Sequence, residues 1–131
     1  GDRPMNENTG KLILRLMLGL LILTHGVSKL TGGVDWMDDM LTASGLPVFF
    51  KYGVYVGEVI APALVILGFY TRAGAWLIAV NMLFAIGIAH WGEMFAITEN
   101  GALAIEKQYL YMFSAIALAL IGPGRYAINQ K

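Results

Sequence analysis

Five ionisable side chains lie within, or at the outer edge of, stretches otherwise apolar enough to span a bilayer: His25, Lys29, Glu58, His90 and Glu106. Glu58 stands alone in the middle of its stretch, with no other charge in the window 52–71. A charge near the centre of a bilayer costs several kcal/mol on the lenient insertion scales and must face protein or water. Imidazole and carboxylate at such depth are groups that exchange protons. His25, Glu58 and Glu106 are therefore the candidate proton-exchanging cluster, with Lys29 and His90 as candidate substrate-binding residues at the rim.

The elements that must position these groups follow from hydropathy. The chain has 131 residues, 57% hydrophobic and 14% charged, against about a quarter charged in an ordinary soluble domain. A span needs about 20 mostly apolar residues, and the windows 11–30, 48–67, 73–91 and 102–121 qualify. Thr31-Gly32-Gly33 closes the first, Gly45-Leu46-Pro47 opens the second, Gly68 to Arg72 forms a tight turn, and Gly122-Pro123-Gly124 ends the fourth. Such punctuation is what helix ends require. The reading is an all-α, integral-membrane four-helix bundle forming one domain over 1–131, with 1–4 resembling a cloning remnant. No cleavable signal peptide is evident.

Lys11, Arg15, Arg72, Arg125 and Lys131 fall at one side of these spans, and Lys29, Lys51 and Lys107 at the other. That bias of five to three places the N and C termini in the cytoplasm by the positive-inside rule. The loops 31–47 and 92–101 then lie outside, and Arg15 and Arg72 read as topology signals. At about 1.5 Å per helical residue, all the candidate residues fall in the outer half, with Glu58 deepest. Glu58 also precedes Pro62 by four residues, so its carbonyl loses its helical partner and a kink is expected. Asn81, deep in the third window, is expected to bond between helices. Glycines such as Gly19, Gly26, Gly74 and the pair Gly53 and Gly57 mark close helix contacts.

Composition also excludes. With no cysteine, disulfides, thiol redox chemistry and Cys-ligated clusters are absent. No metal site is expected, and the methionines read as packing. A net charge of zero gives no basic patch for nucleic acid.

In order and spacing, His25-Gly26-x-x-Lys29, Gly57-Glu58, Leu67-Gly68-x-x-Thr71-Arg72-x-x-Ala75, Met82 with His90, Glu106 and Gly122-Pro123-Gly124-Arg125-Tyr126 resemble the DoxX family. The resemblance covers about 12–129 and implies a small, multi-pass protein of the bacterial inner membrane. Relatives include a subunit of a thiosulfate:quinone oxidoreductase and membrane parts of an oxidative-stress complex. Two features depart from the pattern: Ile60-Ala61-Pro62-Ala63 replaces a Gly-rich stretch, and Asn129 stands near the place of a usual aspartate.

Two functions follow as expectations. One is a membrane subunit linked to quinone-dependent redox chemistry, in which a noncovalently bound quinone meets His25, Glu58 and Glu106 while Lys29 holds an anionic substrate. The other is a non-enzymatic subunit that docks or stabilises a larger complex, its ionisable groups fixing helix register. A proton-coupled transporter and a haem site on His25 and His90 are weaker alternatives. Expected partners are the lipid bilayer and either other membrane or periplasmic subunits or further copies of the chain.

Overall fold

A 30-residue helix, α1 (Arg3–Gly32), opens the chain. It begins before the apolar window does, because the window measures hydrocarbon thickness while the polar first turns remain helical beyond it. The computed structural model describes residues 3–32, 38–89 and 106–131, and among these there is helix and turn but no strand. Within α1, Met5–Ser28 is long and apolar enough to cross a membrane.

The second window is one helical run of changing pitch. A 3-10 segment, Val48–Tyr52, leads through α3 (Gly53–Tyr55) into a π segment, Val56–Ile60, and then α4 (Ala61–Leu67). Pro62 has no N–H to give the carbonyl four residues back. Instead of a simple kink, the backbone bulges by one residue and the Ala61 N–H reaches the Val56 carbonyl. Within this run Val56–Leu67 is an apolar helix shorter than α1's crossing-length stretch.

Gly68 ends α4 in the left-handed conformation (φ 71°, ψ 32°). Its N–H bonds the Val65 carbonyl at 3.2 Å, and the Phe69 N–H bonds that of Leu64 at 3.0 Å. This pattern is a Schellman cap. After Tyr70, α5 (Thr71–Phe84) runs on into a second π segment, Ala85–Ala89. The last helix, α6 (Glu106–Ile121), stops at Gly122. A short helix, α2 (Asp38–Ala43), buries Leu41, and Asp38 pairs with Lys51 Nζ at 2.9 Å.

The core is drawn from four helices: Leu18 and Ile22 of α1, Val65 of α4, Ile78 and Met82 of α5, and Leu118 of α6, with alanines between them. Large apolar side chains face outward, among them Leu20, Trp76, Leu83, Phe113 and Leu120. Small residues inside and bulky apolar residues outside suit helices that pack closely in lipid.

Both chain ends lie at the same end of the molecule, where the Arg125 N–H bonds Asn8 Oδ1 at 3.0 Å. The closing segment 122–131 folds back across that end. Asn129 Oδ1 accepts from the Tyr70 and Lys131 N–H groups, and the Asn129 N–H bonds the Gly68 carbonyl at 3.1 Å. Asn129 thus ties the terminus to the α4–α5 turn.

Candidate functional site

Glu58 is buried, 6% exposed, at the middle of the π segment. Two close approaches hold that segment. On one side the Glu58 carbonyl lies against Gly26 of α1, where a Cβ would collide with it. On the other, Gly57 receives the Asn81 side chain of α5, again leaving no room for a Cβ. The expected role of Asn81 between helices becomes a packing contact beside Glu58. Gly53, the other member of the spaced pair, has open space around it and makes no such approach.

His25 neighbours Gly26 but is itself exposed. Its ring meets Tyr111 of α6 edge-on, with centroids 6.0 Å apart and planes at 69°. Tyr111, which hydropathy does not single out, packs against the core. Glu106, the first residue of α6, is exposed and makes no hydrogen bond or ion pair among the described residues. Lys29 is a residue of α1 one turn beyond His25; its side chain, and all of His90, lie outside the described residues. The structure therefore brings Glu58, Gly26 and Asn81 together, and His25 with Tyr111, while Glu106 stands apart.

Chemically, this arrangement offers one buried carboxyl on a bulged backbone and an exposed imidazole–phenol pair between α1 and α6. The carboxyl can hold or release a proton, and the pair can hydrogen-bond a planar polar group. Among the described residues no group of three or more His, Asp or Glu side chains is placed to hold a metal ion.

A second buried ionic group is one read from sequence as a topology signal. Arg15 is 1% exposed, and its guanidinium is held by backbone carbonyls alone. Nε donates to Val65 at 3.0 Å, Nη2 to Ile66 at 3.0 Å, and Nη1 to Pro123 at 3.2 Å and to Tyr126. These carbonyls end α4 and follow α6, so Arg15 sits where negative helix ends converge. Arg72 does the same at the surface, donating to Ala119 and Leu120 at 3.2 and 3.1 Å. The available signal was an arginine flanked by Leu14 and Leu16 inside an apolar window, the criterion that had singled out Glu58.

No solved structure matches the chain. Among curated proteins, it is 31% identical to "Putative oxidoreductase CatD" of Bacillus subtilis (strain 168), covering 92% of this chain and 84% of that one. It is 30% identical to "Inner membrane protein YqjF" of Escherichia coli (strain K12), over 95% and 92% of the two chains. An "Uncharacterized membrane protein Rv3486" of Mycobacterium tuberculosis is 25% identical over 92% and 79%. The family model described as DoxX matches residues 10–91. The chain belongs to the DoxX family of membrane proteins.

Proposed function

We propose that the chain is a multi-pass inner-membrane subunit in which Glu58 serves quinone-linked redox chemistry. The observation that carries this reading is a buried carboxyl on a π segment inside an apolar bundle. Segments of that pitch occur often at functional sites, and ionisable groups at membrane depth are retained for function. The name of the Bacillus subtilis relative, an oxidoreductase, supports the same class of chemistry. The outward apolar side chains of α1, α5 and α6 support a bundle of four spans, and the Lys and Arg bias of five to three supports cytoplasmic termini.

Reduction of a quinone to a quinol consumes two electrons and two protons. Glu58 supplies a proton, His25 and Glu106 relay protons from the outer side, and Lys29 and His90 hold substrate at the rim. The electrons come from an electron-donating partner subunit. A test is titration of a short-tailed benzoquinone into the protein in lipid nanodiscs. The wild type binds, and Glu58→Gln, which replaces the carboxyl O–H with a weaker amide donor, weakens binding several-fold, within the range of a neutral hydrogen bond worth about 0.5–1.5 kcal/mol.

A second reading, a docking subunit without chemistry, draws on the exposure of His25 and Glu106 on separate helices. Unchanged quinone affinity in Glu58→Gln, together with dissociation of a co-purifying complex, decides for it.

A further inference from the structure

Seven positions separate Glu58 from Val65, and eleven separate Gly26, seated against the Glu58 carbonyl, from Arg15, about 10 and 16 Å of helix. Between the level of Glu58 and that of Arg15, the bundle is filled by apolar side chains without solvent exposure: Ile22, Ala61, Val65, Ile78, Ala115 and Leu118. Such a layer holds no partner for a proton or a hydrated ion, and an unpaired charge crossing it loses its hydration.

Behind that layer stands Arg15, its guanidinium on four carbonyls. Behind Arg15 the segment 122–131 is stitched over the same end. Besides the Asn129 bonds, the Arg72 N–H bonds the Lys131 carbonyl at 3.2 Å, and Gln130 Nε2 bonds the Gly124 carbonyl at 2.9 Å. Opening this end would break several of these bonds at once. A fixed guanidinium in a narrow passage also repels cations, as in pores that exclude protons.

We propose that the Glu58 niche is sealed from the end that carries both termini, so that protons and ligands reach it only from the opposite end or from the bilayer. Arg15 and the closing segment are the seal. The bundle is therefore one-sided, and Glu58 does not alternate between two aqueous faces as a transporter's carboxylate would. This inference is independent of quinone binding.

The chain contains no cysteine, so a single introduced thiol can be read cleanly. Lys131→Cys marks the terminal side; Glu58→Cys and, as a second probe of the same level, Asn81→Cys report the niche. Each is exposed to a membrane-impermeant sulfonated maleimide in sealed vesicles of both orientations. Labelling after unfolding in detergent establishes that each thiol is reactive. Expected is rapid labelling of Lys131→Cys from its own side and no labelling of either niche thiol from that side. Adding Arg15→Met raises niche labelling from the terminal side at least tenfold. Labelling of either niche thiol from the Lys131 side in a chain with Arg15 intact overturns the proposal. So does an Arg15→Met background that folds and leaves the niche closed.

Discussion

Replacing Arg15 by methionine keeps much of the side-chain volume and removes every donor. Four carbonyls then lose their partner, at Val65, Ile66, Pro123 and Tyr126. Removing one member of a buried charged network destabilises by about 3–5 kcal/mol. Interhelical hydrogen bonds measured in membranes average nearer 0.6 kcal/mol each, or roughly 2.5 kcal/mol for four. The lower figure applies if the unfolded chain stays in lipid, so the loss lies at roughly 2.5–5 kcal/mol. Thermal unfolding in mild detergent, followed by far-ultraviolet circular dichroism, should show a Tm lower by on the order of 10 °C. Arg15→Lys retains the charge but not the planar fork, and a lysine cannot serve four divergent carbonyls; it should fall between the two. Arg72→Met, at an exposed site with two bonds, should lose about 1 kcal/mol. The reasoning is refuted if Arg15→Met unfolds within experimental error of the wild type, or if Arg15→Lys matches it.

Gly26→Ala puts a methyl group against the Glu58 carbonyl; overpacking of this kind destabilises by about 1–3 kcal/mol, measurable in the same melt. Pro62→Ala restores an N–H and lets the π segment relax to α pitch. Its expected signature is hydrogen exchange altered in 56–62, with the α4–α5 turn unchanged. Asn129→Ala frees the Tyr70 and Lys131 N–H groups and should lower stability by about 1 kcal/mol, whereas Asn129→Asp, which keeps an acceptor, should be nearly neutral.

The ends of α4 and α6 and the burial of Glu58 were legible because both rest on local chemistry. Gly68 and Gly122 follow apolar windows and turn left-handed there, ending α4 and α6, and a carboxylate in an apolar window is anomalous in any fold. The pitch of the backbone at Glu58 was not legible. Pro62 announces a defect, but whether it becomes a kink or a π segment depends on what seats against it. Here Gly26 and Asn81, from two other helices, provide the seat. Arg15 was misjudged for a related reason. Its position close to Lys11 at the mouth of the window satisfies the positive-inside rule, yet two of its bonding partners lie more than a hundred residues away, at Pro123 and Tyr126. The outward placement of His25 and Glu106 depends on the rotation of α1 and α6 about their axes, which packing decides.

Burial and bonding divide the polar groups into two sets. Arg15, Arg72 and Asn129 are bonded to backbone at one end and hold the fold. Glu58, with His25 and Tyr111 at the α1–α6 seam, lies on the other side of an apolar layer and is where we place the chemistry. Native purification from membranes, with mass spectrometry of proteins and small molecules together, tests that placement most directly. A quinone and an electron-donating protein should co-purify with the wild type, and the quinone should be depleted in Glu58→Gln while the partner stays. A preparation in which Glu58→Gln loses the partner, and in which neither form carries quinone, would contradict it.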